Sequence, residues 1–196
     1  NIVYSTRQTS LVLNVAKNIE MGTSKQLRIH LLGHFRLTFN NQPVEGLQAD
    51  RYQSLLAYLI LCAQTPQPRA QVASVFWPET TDKKAKTNLR RELHRLRQIL
   101  PDADQFVSVS TQTIQWQPQA PFWSDVSAFE AKIAQAAEQP TSAAKAESLQ
   151  QAVELCQGEL LPTCYDDWIE PERRRLHQLL LNALTDLSVV LADLGE

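Results

Sequence analysis

The sequence predicts an α+β domain followed by an all-α domain. Three observations carry that prediction. Residues 27–39 alternate apolar and polar side chains with a period of two, three helical patterns follow, and residues 107–116 return to period two. Beyond a proline-bearing junction, QPQAPFW, the chain reads as helices alone.

The first two dozen residues show no clear periodicity, and residues 1–26 are expected to be an N-terminal extension or linker. The only methionine is Met21, so a translation start there and a linker from an upstream domain both stay open. In LRIHL, Leu27, Ile29 and Leu31 share one face, with Arg28 and His30 on the other. After Gly33, FRLTF turns Phe35, Leu37 and Phe39 inward, which makes a hairpin with one wet face; His34 falls within these strand patterns. NNQPVEG supplies turn residues, and short strands around Val44 and Leu47 are expected to complete a small sheet.

RYQSLLAYLILCA, residues 51–63, is long enough for a buried helix and stops at QTPQP; RAQVASVF, residues 69–76, is the second helix. DKKAKTNLRRELHRLRQIL is the third, with Asp82 as its expected N-cap and Pro101 ending it. VSVSTQTIQW then forms a hairpin with a polar tip at Thr111-Gln112. Sheet, three helices, hairpin is the element order of a winged helix-turn-helix with an N-terminal antiparallel sheet, expected over residues 27–121.

Residues 122–196 are expected to form an all-α domain. DVSAFEAKIAQAAE is capped by Asp125 in this reading and buries Val126, Phe129, Ile133 and Ala137. SAAKAESLQQAVELC carries Ala146, Leu149 and Val153 as its stripe. A last helix from about Asp167 shows Leu176, Leu180, Leu184, Leu187 and Leu191, with Pro171 in its first turn. Gly195 reads as a C-cap before a turn to a further helix, so this domain is expected to be incomplete.

Composition narrows the function classes. No apolar run approaches the roughly 20 residues of a membrane span, and no basic-then-apolar leader is present, so a cytoplasmic location without membrane contact is expected. Three cysteines without a CxxC pair fit a reducing compartment, and Cys62 reads as a buried small hydrophobe. His30, His34, His94 and His177 have no metal-ligand spacing, and neither a phosphate-cradling glycine loop nor a nucleophile elbow occurs. Asp166, Asp167, Glu170 and Glu172 read as carboxylates at a helix N-terminus. No catalytic residue, metal or cofactor is therefore expected, and the chain is not read as an enzyme.

Charge is informative once divided. Residues 1–123 hold 14 Lys and Arg against 8 Asp and Glu, whereas residues 124–196 hold 5 against 13. A net charge of −2 conceals a basic half and an acidic half, a pattern that points to nucleic acid at one end. The basic excess concentrates in the third helix. Its Ala85, Leu89, Leu93, Leu96 and Leu100 form one narrow stripe, and Lys84, Thr87, Arg91, His94 and Gln98 lie opposite. A solvated helix mixes signs at i,i+4 spacing, yet Lys83 to Arg97 holds seven Lys and Arg and one Glu. Lys83, Lys84 and Lys86 also oppose the helix dipole, at roughly 0.3–1 kcal/mol per exposed charge. A bound anion reverses that cost.

The expected ligand is double-stranded DNA. Thr87, Arg90, Arg91 and His94 are the candidates for base edges in the major groove. Lys83, Lys84, Lys86, Arg95 and Arg97 are the candidates for phosphate, joined by Arg51 and by Thr111 and Gln112 at the wing tip. Arg51 and the wing tip also read as ordinary surface, and Arg97 also suits a pairing with Glu92 or Asp102. The alternative for the whole helix is a protein-interaction module whose basic face docks an acidic partner.

LRIHLLGHFRLTF, RYQSLLAYLIL and TNLRRELHRLRQIL resemble the DNA-binding half of bacterial transcriptional activator domain (BTAD) regulators, the group that includes antibiotic-pathway regulators of actinobacteria. FWSDVSAFEAKI, LQQAVELCQGELLP and YDDWIEPERRRLHQLLLNAL are similar to the opening of that family's helical domain. The resemblance implies a winged helix followed by tetratricopeptide-like helices. It also implies an activator that binds direct repeats near promoters and recruits RNA polymerase; whether the chain forms a homodimer on DNA stays open.

Overall fold

The structure is a computed structural model that describes residues 26–47 and 50–195. The readings made for the N-terminal extension and Met21 lie outside those residues. Strands β1 (Leu27–His30) and β2 (Arg36–Phe39) pair antiparallel with Ile29 opposite Leu37. The alternation read from the sequence is the observed one: Leu27, Ile29 and Leu37 are buried, and Arg28 and Arg36 are exposed. His34 lies in the bend between the strands rather than in either.

The third strand falls earlier than expected. Asn40 and Asn41 both take the left-handed conformation, at φ 50° and 64°, which makes a two-residue turn of the kind that matches strand twist. The chain therefore reverses at once, and β3 is Gln42–Pro43 instead of the Val44 and Leu47 segments. Helices α1 (Asp50–Leu61), α2 (Arg69–Phe76) and α3 (Asp82–Ile99) follow in the order read. Asp82 is not the cap of α3; Thr81 occupies that position and Asp82 opens the helix.

A single turn, α4 (Ala103–Phe106), leads into the hairpin of β5 (Val107–Val109) and β6 (Thr113–Trp116). A short strand that the sequence did not disclose, β4 (Gln67–Pro68), pairs with β6 and makes the hairpin a three-stranded sheet. The junction after Trp116 also departs from the expectation of an all-α part from residue 122. Phe122–Ser124 is β7, which runs parallel to β1 with Trp123 beside Arg28. The first sheet thus has the order β3-β2-β1-β7.

The all-α part consists of α5 (Asp125–Glu138), α6 (Ser142–Leu155) and α7 (Ile169–Leu194). Ser124 caps α5 by accepting from the Ser127 amide. Asp125, read as that cap, has another role. Its buried carboxylate accepts from the amides of Leu31, Leu32 and Val126 at 2.8–2.9 Å, tying α5 to the end of β1. Ala136 rather than Ala137 is buried on α5, and Ala152 lies deeper than Val153 on α6. On α7 the buried line is Ile169, Leu176, Ala183 and Val190, every seventh residue. Ala183 brings α7 close to its neighbours, and Leu184 is left 41% exposed.

The two halves share one core. Leu160, Leu161, Cys164, Ile169 and Leu176 belong to the same buried cluster as the sheet and α1–α3. Leu32 bridges Leu160, and the Gly33 amide donates to the Glu159 carbonyl at 2.8 Å. Gly33 has φ +89°, and a Cβ there would stand 3.3 Å from the Gln157 carbonyl oxygen, so glycine permits the approach. Asp125→Ala leaves the Leu31 and Leu32 amides buried without acceptors and is expected to cost about 3 kcal/mol, read as a lower urea midpoint at unchanged m-value.

Candidate nucleic-acid interface

α3 is fixed by its apolar side. Ala85, Leu89, Leu93 and Leu96 are buried, as is Leu100 just beyond the helix, and each is at most 3% exposed. That seam leaves only one orientation for the opposite side. Lys83, Lys84, Lys86, Thr87, Arg90, Arg91, His94, Arg95, Arg97 and Gln98 are all exposed. Helix periodicity alone forces this segregation, because residues three and four apart stack on one face.

The cations differ in their engagements. Lys83, Lys84, Lys86, Arg90 and His94 make no ion pair among the described residues. Arg91 donates through Nε to the Glu92 carboxylate at 3.1 Å, a contact that engages neither terminal amino group. Glu92 is 6% exposed and lies one turn from Leu89 and Leu96, so the sole acid of the cationic run sits on the core side and orients Arg91. Its i+3 offset from Leu89 was the available signal. Arg95 donates to the Tyr52 hydroxyl at 3.1 Å. Arg97 pairs with Asp104, an acid outside the two weighed from the sequence. The Thr87 hydroxyl donates to the Lys83 carbonyl one turn back.

The hairpin tip stands beside α2. Ser110 Oγ accepts from the amides of Gln112 and Thr113, and Thr111 and Gln112 are exposed. Arg69, the first residue of α2, clamps the turn, since its side chain donates to the Ser110 carbonyl and its amide to the Gln112 carbonyl. The wing is thereby fixed to the helix that precedes α3.

Arg51 is engaged elsewhere. Its Nη1 donates to Asp166 of the α6–α7 segment and to the Phe76 carbonyl, both at 3.1 Å. The guanidinium also lies 5.6 Å from the Trp77 ring. Ser54 donates to the other Asp166 oxygen at 2.5 Å, and Trp168 Nε1 donates to Ser54 at 3.1 Å. Trp168 stands edge-on to Tyr58 at 5.2 Å. Side chains from the all-α half therefore grip α1 and the end of α2, where the turn into α3 begins. Sequence reasoning missed this cluster; its one signal was Ser54, a small polar side chain directly before a leucine-rich run.

Among the described residues no group of His, Cys, Asp or Glu is arranged to hold a metal ion, and no helix is long and apolar enough to cross a membrane. Cys62, expected to be buried, is half-buried against the core, and that burial raises the pKa of its thiol.

This is a winged helix-turn-helix joined through a common core to a helical domain. Residues 124–196 match the family model described as the bacterial transcriptional activator domain. No curated protein matches the sequence. Among solved structures, the chain is similar to Mycobacterium tuberculosis EmbR in complex with a low-affinity phosphopeptide, with a TM-score of 0.74 at 20% identity. The match covers 88% of this chain and 47% of that one, so the chain spans about half the length of the EmbR chain. At that identity the likeness bears on the fold.

Removing the Asp166 carboxylate frees the Arg51 guanidinium next to Phe76 and Trp77. Asp166→Ala is expected to lower stability by about 1–2 kcal/mol. Hydrogen exchange is expected to quicken first at the amides of residues 77–81.

Proposed function

We propose that the chain is a sequence-specific double-stranded DNA-binding regulator of transcription, an activator, that lays α3 in the major groove. One observation carries this reading: a helix anchored by a leucine seam presents an outward face of Lys83, Lys84, Lys86, Arg90, Arg91 and His94, with no carboxylate of its own facing outward beyond Asp82 at its start. Thr87, Arg90, Arg91 and His94 lie along the middle of that face and serve base edges. Glu92 holds Arg91 at one nitrogen and leaves the planar fork for a base.

Lys83, Lys84 and Lys86 reach phosphate at the helix start, with Arg95 and Arg97 at the other end. The Arg97 pair with Asp104 is exposed and gives way to phosphate at little cost. Thr111 and Gln112 reach the backbone from the wing. Arg51 does not join the phosphate set, because its guanidinium is held by Asp166. The helical half contacts RNA polymerase, and copies of the chain pair on direct repeats at promoters, in the cytoplasm. No metal or cofactor takes part, and no reaction is catalysed. A protein-docking role for α3 is the competing reading, and salt dependence on duplex DNA separates the two.

With about four phosphates neutralised, affinity for a duplex selected from a random pool is expected to fall roughly a hundredfold between 50 and 200 mM salt. Arg91→Ala should cost about 1–3 kcal/mol on the selected site and little on random duplex. Lys84→Ala should weaken both duplexes alike and flatten the salt slope. Electrophoretic titrations read all three, and duplex affinity that is indifferent to salt and to both substitutions would overturn the proposal.

A further inference from the structure

The outer face of the four-stranded sheet is built from side chains that α3 and the wing do not use. Strand alternation sends Leu27 and Ile29 into the core and leaves Arg28 and His30 outside. Arg36 stands opposite His30 on β2, and Trp123 stands beside Arg28 on β7. The four groups form one patch. The Arg28 guanidinium lies 4.9 Å over the Trp123 ring, the His30 ring is 5.0 Å from it, and Arg36 Nη2 is 3.2 Å from His30 Nε2.

The patch has no carboxylate to spare. Asp125 lies 3.9 Å from His30 Nδ1, but it is buried and accepts from three backbone amides. Arg28 and Arg36 make no ion pair among the described residues and occupy diagonal positions of neighbouring strands, where like charges repel. Next to Trp123 opens a cleft of about 420 Å³, lined by Leu61, Pro118 and Phe122 among others. Its one carboxylate, Glu130, is neutralised by Arg175 at 2.6 Å.

We propose that this face docks an acidic polypeptide segment of a partner protein, with carboxylates on Arg28 and Arg36 and an apolar side chain in the cleft beside Trp123. Spacing favours that occupant over a phosphate group. The diagonal positions are about 7–8 Å apart, close to the separation of alternate residues on an extended chain. The Arg28 guanidinium is seated on the Trp123 ring and that of Arg36 on His30, two anchorages that suit two carboxylates of one segment. Arginine and tryptophan are also the side chains that dominate protein interfaces. The inference stands whether or not α3 binds DNA.

His30 gives the docking a pH dependence. Burial holds its pKa below the ordinary value, and Arg36 adds to that shift; Arg28 acts the same way and Asp125 against it. A docked carboxylate stabilises the imidazolium, so the segment binds more tightly as pH falls through the His30 titration.

The test is a titration of the 15N-labelled full chain with acetyl-Glu-Ala-Glu-Leu-Glu-Ala-Glu-amide, followed by NMR. Shifts are expected at β1, β2, β7 and the Trp123 indole NH, with the His30 titration moving up at saturation. The double variant R28E/R36E is expected to weaken those shifts about tenfold or more while its circular dichroism and duplex affinity stay unchanged. Shifts confined to α3, or an R28E/R36E variant that binds the peptide as before, would overturn the proposal. So would loss of duplex affinity alone in that variant, which assigns the face to nucleic acid. Self-association abolished by the same variant would assign it to a second copy of the chain.

Discussion

Burial of the leucine seam of α3 is the constraint on which the rest depends. Five side chains, Ala85, Leu89, Leu93, Leu96 and Leu100, are removed from water almost completely. Each large one is worth roughly 1.5–3 kcal/mol when buried. Against that sum the repulsion among seven cations and the unfavourable helix dipole are affordable, since exposed charge interactions amount to fractions of a kcal/mol each. The helix therefore holds its cationic side outward in the free protein. Glu92 confirms the logic, because the single acid within the run is the one drawn to the seam and paired.

The remainder of the first half positions that helix. α2 and the wing are joined by Arg69, and the end of α2 is joined to the all-α half by Arg51 and Asp166. Asp125 and Gly33 stitch the same half to the first sheet. The acidic and basic parts of the chain are thus mechanically continuous, although their charges differ so sharply in sequence. Asp166, Arg51 and the Phe76 carbonyl form a hydrogen-bonded link from the helical domain to the turn before α3.

Much of this was legible in the sequence, and the exceptions share a cause. β1, β2, α2 and the wing hairpin announce themselves by local periodicity, and RAQVASVF even gives the helix bounds. The α3 seam and its outward cations are equally local. What periodicity does not encode is partnership between distant segments. β7 needs β1, β4 needs β6, and the three-residue and two-residue strands carry no pattern of their own. Asp125 looked like a helix cap because its true acceptor role lies with residues more than ninety positions away. On α7 the leucines drew attention, whereas the contact line runs through Ala183, a residue whose smallness is its function. Arg51 read as a surface cation for the same reason, its partner being Asp166.

The central claim is that the outward side of α3 lies against base edges in the major groove, and methylation interference tests it most directly. A duplex selected from a random pool is methylated sparingly at guanine N7, a major-groove atom, and the bound and free fractions are compared. The account predicts that methylation at guanines within the selected site excludes the chain and that the exclusion disappears at one or more of them in Arg91→Ala. Bound and free fractions with the same methylation pattern throughout the site would contradict it.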